Sequence, residues 1–123
     1  MNKKIFWISS YPKSGNTWMR AIICSLFFTE DGIFNFDFFS YIPNFEKVET
    51  FEFIKEFNLN DYNNLSDLNV LSKYWIKAQE KIQVNGDFAF FKSHSANMSI
   101  FNSPFTNKEN SLGLIYLVRD PRD

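Results

Sequence analysis

The stretch IFWISSYPKSGNTWMRAIICSLFF, residues 5–28, decides the fold, because its character changes twice along its length. Ile5 to Ile8 is a run of bulky and β-branched apolar residues, which is typical of a buried strand. A short polar segment follows. From Thr17 the chain is apolar almost all round, with Arg20 as its only charge, which predicts a buried helix that Asp31-Gly32 ends. The stretch therefore predicts a strand, a tight polar loop and a helix.

The composition is that of an ordinary globular protein. The chain has 123 residues, of which 22% are charged and 45% hydrophobic, and this length predicts a single domain. The net charge of −1 argues against a broad polyanion-binding surface, so we expect no nucleic-acid partner and a local anion site at most. The single cysteine, Cys24, lies in an apolar run, which predicts a buried, unreactive thiol without a disulfide framework.

Neither a targeting segment nor a membrane span is predicted. The start MNKKIFWISSYP is basic, but its apolar run is too short for a signal peptide. The longest apolar run, residues 21–28, is too short to cross a bilayer. We therefore expect a cytoplasmic protein with no membrane partner.

The middle of the chain favours helices. Residues 33–64 are rich in Phe, Asn and acidic groups, and within them VETFEFIKEF (48–57) favours a helix, although TFEF also alternates like a strand. A helix is predicted from a cap at Ser66 to about Gln83. One stripe of this helix is apolar: Leu68, Leu71, Trp75, Ala78 and Ile82.

Two further strands are predicted, in DFAFFKSH (87–94) and LGLIYLVRD (112–120). The second is a continuous apolar run, as expected for a strand covered on both faces of a parallel sheet. We predict an α/β fold in which Ile5–Ile8, Phe88–Phe91 and Leu114–Val118 form one parallel sheet flanked by helices.

Polar clusters follow all three predicted strands: Lys13 to Thr17, Lys92 to His94, and Arg119 onward. In an open parallel α/β sheet, ligands bind at the carboxyl ends of the strands. The three clusters therefore predict one binding site at that edge of the sheet.

The first cluster has the chemistry of an anion-binding loop. Gly15 can adopt a positive φ and turn backbone N–H groups toward an anion, Thr17 lies at the start of the helix, and Lys13 adds a charge. The order of residues differs from G-x-x-x-x-G-K-[ST], and an ordinary strand–helix turn capped by Thr17 is the alternative. Trp18 is either a core residue or a flat surface for a purine ring.

His94 and Arg119 each have two interpretations. His94 is the only histidine, and it is either a surface residue or a general base that the neighbouring charge of Lys92 helps to keep neutral. Arg119 forms either a salt bridge with Asp120 or Asp123 or a fork for a phosphate.

Taken together, YPKSGNTW, FKSH and LIYLVRDPRD resemble the soluble sulfotransferases that use 3′-phosphoadenylyl sulfate (PAPS). The resemblance implies a fold like that of the P-loop NTPases and transfer of a sulfuryl group to the hydroxyl or amine of a small-molecule or glycan acceptor, with no metal. It also implies that one group of residues surrounds the 5′-phosphosulfate: Lys13, Ser14, Gly15, Asn16 and Thr17.

The resemblance assigns the other site residues as well. Trp18 would stack on adenine, Lys92 would help hold the sulfuryl group, His94 would take the proton of the acceptor, and Arg119 would bind the 3′-phosphate. Lys13 would lie near the bridging oxygen of the donor. These roles make Lys13, Lys92 and His94 the predicted catalytic residues.

The chain departs from the family in two ways. It has Asn16 where the family often has Thr. Family members also continue past the position of Asp123, with a serine that completes the 3′-phosphate site and a glycine-rich donor-binding segment. We therefore expect residues 1–123 to form an incomplete sulfotransferase domain. Two alternatives stay open: a nucleotide kinase or NTPase with Asp120 on Mg²⁺, and a donor-binding module without activity.

Overall fold

A computed structural model describes residues 5–55, 67–96 and 98–122. The strands are β1 (Ile5–Ser10), β2 (Ala89–Ser93), β3 (Ser99–Ile100), β4 (Ser103–Pro104) and β5 (Ser111–Leu117). The α-helices are α1 (Asn16–Phe27), α2 (Leu68–Leu71) and α3 (Trp75–Lys81), and 3₁₀-helices cover Phe36–Tyr41, Val48–Phe51 and Ser72–Tyr74.

The main sheet is parallel and has the strand order β2-β1-β5. Ile8 of β1 lies opposite Lys92 of β2 on one side and Ile115 of β5 on the other. The three apolar runs of the sequence therefore form one parallel sheet, as predicted, with the first strand at its centre. β3 and β4 form a separate antiparallel pair.

Each face of the sheet has its own apolar core. On one face, α1 and the 36–41 helix pack over the strands, and the buried residues are Ile8, Ile23, Cys24, Ile42 and Phe90. The other face is largely aromatic, with Trp7 at its centre. The Trp7 ring lies 4.9 Å from the ring centroid of Phe105 and 5.2 Å from that of Phe45, both at steep angles. Such edge-to-face pairs add about 0.5–1.5 kcal/mol each beyond the burial of area.

The prediction of a buried helix after the loop is wrong for half of its surface. Within α1 only Asn16, Ile23 and Cys24 are buried, whereas Ile22 and Leu26 are exposed. The helix packs on the sheet and on the 36–41 helix with one side only, so its apolar outer face has no cover in the described part of the chain.

The middle segment is less regular than predicted. In 48–57, only Val48–Phe51 is helical, as a single 3₁₀ turn that buries Phe51, and residues 56 and 57 lie outside the described residues. The helix predicted for 66–83 is divided between α2, a 3₁₀ turn and α3, and the Asp67 side chain caps it by accepting from Asn69 N–H. The predicted cap, Ser66, lies outside the described residues. The apolar stripe packs into the aromatic core as predicted.

The faces of β5 are covered unequally. Ile115 and Leu117 pack against the core beneath α1. Leu112, Leu114 and Tyr116 alternate with them on the opposite face and stay between 41% and 47% exposed. One of the two apolar faces expected for this strand is therefore half open to solvent in the described structure. None of the described helices is long and apolar enough to cross a membrane.

Candidate functional site

The loop between β1 and α1 has an unusual backbone. Lys13 has φ = 60° and Gly15 has φ = 99°, both in the left-handed region. Glycine adopts this region freely, but for lysine it costs free energy of the order of 1–3 kcal/mol. The loop is closed by a hydrogen bond of 3.2 Å from Ser14 N–H to the carbonyl oxygen of Tyr11. Strained residues of this kind cluster at ligand-binding sites, and the sequence pattern had suggested positive φ at Gly15 alone.

The N-terminus of α1 is open to a ligand. The first hydrogen bond of the helix runs from Met19 N–H to the carbonyl oxygen of Gly15, so the preceding N–H groups of residues 16–18 have no partner within the helix. Gly15 is the cap residue, no side chain in the described chain caps the helix, and its first turn has no acidic residue. The alternative of a turn capped by Thr17 is therefore wrong. The helix dipole favours an anion here.

A groove of about 470 Å³ joins the loop to the end of β5. Lys13 and Ser14 line one side of it, and Val118 and Arg119 line the other. The structure thus brings together the predicted ligands of the 5′ and 3′ ends of a nucleotide. Among the charges predicted to bind the donor, Lys13 and Arg119 share this groove.

The salt bridge proposed for Arg119 had two candidate partners, Asp120 and Asp123; Asp123 lies outside the described residues, so that half of the interpretation stays open, and Asp120 pairs with another arginine. Asp120 accepts two side-chain hydrogen bonds from Arg122, of 3.0 Å from Nε and 2.7 Å from Nη2. These bonds hold the pKa of Asp120 below its usual value. The carboxylate proposed as a magnesium ligand in the kinase alternative is therefore already engaged. In residues 5–55, 67–96 and 98–122, no group of three or more His, Cys, Asp or Glu side chains is arranged to hold a metal ion.

His94 is oriented by the backbone of the central strand. Its Nδ1 lies 2.7 Å from the carbonyl oxygen of Ser10, the last residue of β1. Because a carbonyl oxygen can only accept, Nδ1 carries the proton, and Nε2 of the neutral ring keeps its lone pair. A groove of about 420 Å³ lies beside the ring, lined in part by Met98 and Tyr116.

The loop separates the two grooves. Tyr11 and Pro12 line both the groove of Lys13 and Arg119 and the groove of His94. The two grooves therefore adjoin each other at these two residues.

Asn16 and Thr17 lie at the start of α1, but their side chains differ in position. Asn16 is buried, and its Nδ2 donates to the carbonyl oxygen of Ile8 at 3.1 Å and to the hydroxyl oxygen of Ser10 at 3.2 Å. Thr17 is exposed. The Asn16 side chain thus points to β1, and the part of Asn16 that can face an anion is its backbone N–H.

Lys92 lies on the α1 side of the sheet, next to Ile8 in the register of β1 and β2. Burial and the nearby Arg20 guanidinium lower the pKa of Lys92, and the Glu46 carboxylate partly offsets this effect. Arg20 is held by the carbonyl oxygens of Phe39 and Ile42, at 3.2 and 2.8 Å from its Nη2. Lys92 is not among the residues that line the groove of Lys13.

Trp18 lies apart from the other predicted site residues. Its side chain is 78% exposed, and it lines an apolar groove on the outer face of α1 with Ile22, Leu26 and Phe34. It is not among the residues that line the groove of Lys13 and Arg119. The role of Trp18 in binding adenine stays a prediction.

Sequence reasoning missed Ser10 and Glu46. Ser10 stands directly before the recognised loop and contacts both Asn16 and His94. Glu46 lies in the uninformative segment 33–64, and its Oε1 accepts a hydrogen bond from the hydroxyl of Ser93, which precedes His94. The position of Ser10 next to the loop was a usable signal, whereas nothing near Glu46 in the sequence pointed to the site.

Comparison with known proteins identifies a family for this chain but no individual relative. No curated protein and no solved structure matches the chain significantly. The model of the sulfotransferase domain family matches residues 3–123, nearly the whole sequence. The chain, whose first strand, loop and helix lie within the matched residues, therefore belongs to the sulfotransferase domain family.

Proposed function

We propose that this protein transfers a sulfuryl group from PAPS to a hydroxyl or amine of a small-molecule or glycan acceptor, with His94 as the general base. One observation carries the proposal: Nδ1 of His94 donates to the Ser10 carbonyl directly before the anion loop. This bond leaves Nε2 as a proton acceptor on the groove that adjoins the loop. We place the reaction in the cytoplasm on the basis of the sequence alone.

The proposed step requires proton transfer and charge neutralisation. The acceptor oxygen or nitrogen forms the new bond to sulfur while its proton passes to Nε2 of His94. The bond between sulfur and the bridging oxygen breaks, and its electron pair goes to the 5′-phosphate of the leaving nucleotide. Lys13 and the N–H groups of residues 16–18 stabilise the negative charge that develops there. Transfer of this kind depends on positioning and electrostatics, as phosphoryl transfer does.

Donor recognition is assigned to the groove of Lys13 and Arg119. Lys13 and Ser14 would hold the 5′ end and Arg119 the 3′-phosphate, whose planar, bidentate recognition suits a guanidinium. Lys92 would assist at the sulfuryl group. Burial lowers the pKa of Lys92, because its charge is less well solvated than that of the exposed Lys13. A nearby anion would therefore stabilise the charge of Lys92 more than that of Lys13.

Calorimetry with adenosine 3′,5′-bisphosphate (PAP), the nucleotide product, tests the donor. We expect PAP to bind without added metal and more tightly than ATP with Mg²⁺. Preferential binding of Mg-ATP would contradict the proposal and favour the nucleotide kinase or NTPase alternative.

Turnover tests the base. A chain of the length that the family resemblance implies is incubated with PAPS and a mixed panel of phenols, alcohols, amines and glycans, and release of PAP is measured. We expect His94→Ala to lose about 10²–10⁴-fold in turnover with unchanged affinity for PAP. Activity retained by the variant would remove His94 from the mechanism, whereas PAP binding without turnover by any acceptor would indicate a donor-binding module.

A further inference from the structure

Ser10 connects two parts of the site that are far apart in sequence. Its hydroxyl oxygen accepts a hydrogen bond from Nδ2 of Asn16, at the start of α1. Its carbonyl oxygen accepts one from Nδ1 of His94, in the turn after β2. Ser10 is itself only 1% exposed, and its contact with Asn16 is buried, whereas its contact with the exposed His94 ring is partly buried. One buried residue therefore links the anion loop to the imidazole.

The Asn16 side chain is committed to this link. Its Nδ2 group has two protons, and its two acceptors are the Ser10 hydroxyl and the Ile8 carbonyl. Its Oδ1 is buried and has no donor in the described part of the chain. The oxygens of a phosphosulfate that face a protein are acceptors, so they cannot satisfy Oδ1. The Asn16 side chain is thus suited to holding the end of β1 and not to binding the donor.

We propose that Ser10 and Asn16 are positioning residues for His94: they fix the Ser10 carbonyl, which selects the Nδ1–H tautomer and the ring orientation that aim Nε2 at the acceptor groove. This inference rests on the proposed function only in treating His94 as the base. On the β2 side the ladder ends at Ser9 and Ser93, one residue before Ser10 and His94, whereas Ser10 still pairs with Leu117 of β5. The two hydrogen bonds of Asn16, to Ile8 and Ser10, add to the ladder where its β2 side ends.

The direction of coupling follows from the geometry. The backbone N–H of Asn16 belongs to the open helix N-terminus, whereas its side chain contacts β1. A shift of the helix start would therefore act on the Ser10 hydroxyl through one residue, Asn16. The hydrogen bonds of Asn16 that hold the loop against β1 thus also fix the position of the His94 ring relative to the loop.

Nitrogen NMR tests the inference directly, because His94 is the only histidine and its signals need no assignment. In the ¹⁵N-labelled chain at a pH where the ring is neutral, we expect the Nδ1–H tautomer. Ser10→Ala keeps the carbonyl but removes the acceptor of Asn16. We expect this variant to show a mixture of tautomers and Nδ1–H exchange with solvent at least about ten times faster. Asn16→Ala should behave alike, and Asn16→Thr, which keeps one donor, should fall between it and the unchanged protein.

Ser40→Ala is the matched control. Ser40 is an exposed serine whose hydroxyl donates to the Asp37 carbonyl in the 36–41 helix, and its loss should leave the His94 signals unchanged. A predominant Nε2–H tautomer in the unchanged protein would overturn the inference. So would a Ser10→Ala variant with an unaltered tautomer and exchange rate, whether or not Asn16→Ala folds.

Activity provides the second measurement. With any acceptor that is turned over, Ser10→Ala should reduce kcat by up to about 10²-fold, the effect of a misplacement near 1 Å, with unchanged affinity for PAP. Unaltered kcat would contradict the positioning role. Failure of PAP to bind the unchanged protein would refute the proposed function, but the tautomer of His94 in the free protein would still decide this inference.

Discussion

Removal of the two cations in the groove should affect two nucleotides differently. Lys13 lies on the anion loop and Arg119 at the end of β5, and both line the same groove. If Lys13 reads the 5′ end and Arg119 the 3′-phosphate, then Lys13→Ala weakens both PAP and AMP, which has a 5′-phosphate only. Arg119→Ala weakens PAP and leaves AMP unchanged.

The size of each effect follows from the exposure of the groove. Two unit charges 4 Å apart attract by about 1 kcal/mol in water and about 4 kcal/mol near a protein surface. A hydrogen bond to a charged group contributes about 1.5–3 kcal/mol in mutational series, within those limits. Since each 1.4 kcal/mol changes an affinity tenfold, each substitution should raise the Kd for PAP by about 10- to 150-fold. Lys92→Ala should raise it much less, because Lys92 does not line this groove.

Competition titrations against a fluorescent adenine nucleotide would measure these affinities for both ligands. Lys108→Ala is the matched control, since Lys108 is an exposed lysine that does not line the groove. The assignment is refuted if Arg119→Ala weakens AMP as much as PAP, because the arginine would then act as a general charge. It is also refuted if Lys13→Ala leaves both affinities unchanged, because the loop would then be only a structural turn.

Three further predictions concern the body of the protein. Cys24 is buried, burial raises the pKa of its thiol, and its Sγ–H donates to the Phe38 carbonyl. We therefore expect Ellman's reagent to modify Cys24 at least about 10²-fold more slowly in the native than in the urea-unfolded chain. Equal rates would contradict its burial. Burial holds the pKa of Lys92 below its usual 10.5, so between the native pKa and 10.5 the unfolded chain carries more protons on Lys92 than the folded chain does. The free energy of unfolding in urea should therefore rise with pH in that window, and Lys92→Met should lack this rise. Leu114→Lys places a charge on the half-open face of β5 and should lower the free energy of unfolding by less than about 1 kcal/mol. Ile115→Lys, on the covered face, should lower it by more than about 2 kcal/mol in the same urea titration; equal costs would show that the two faces are covered alike.

The strands and their parallel pairing could be predicted because each is a run of bulky apolar residues bounded by polar ones, and a buried parallel strand has no other simple pattern. The burial of α1 could not, since an apolar helix is buried only where something packs on it. Ile22 and Leu26 are as apolar as Ile23, yet they face away from the sheet.

The sequence predicted which polar residues follow each strand, but it could not predict the contacts among them. The anion loop was readable from Lys13 to Thr17, because a basic residue and a glycine between strand and helix have a direct physical meaning. The contact between His94 and the Ser10 carbonyl joins positions 84 residues apart and uses a backbone atom, which no residue type encodes. The inward turn of Asn16 likewise depends on acceptors supplied by β1.

The order of the strands explains why one loop can contact both halves of the site. β1 lies between β2 and β5, so the loop that follows it emerges between the turn of His94 and the segment of Arg119. With β2 at the centre, the His94 turn would separate the loop from Arg119, and Lys13 could not share a groove with that arginine. Because β1 is central, Tyr11 and Pro12 line both grooves, and the Ser10 carbonyl lies within 2.7 Å of His94. The sheet topology thus places Lys13 and Arg119 on one groove beside the loop and His94, the proposed base, on the other.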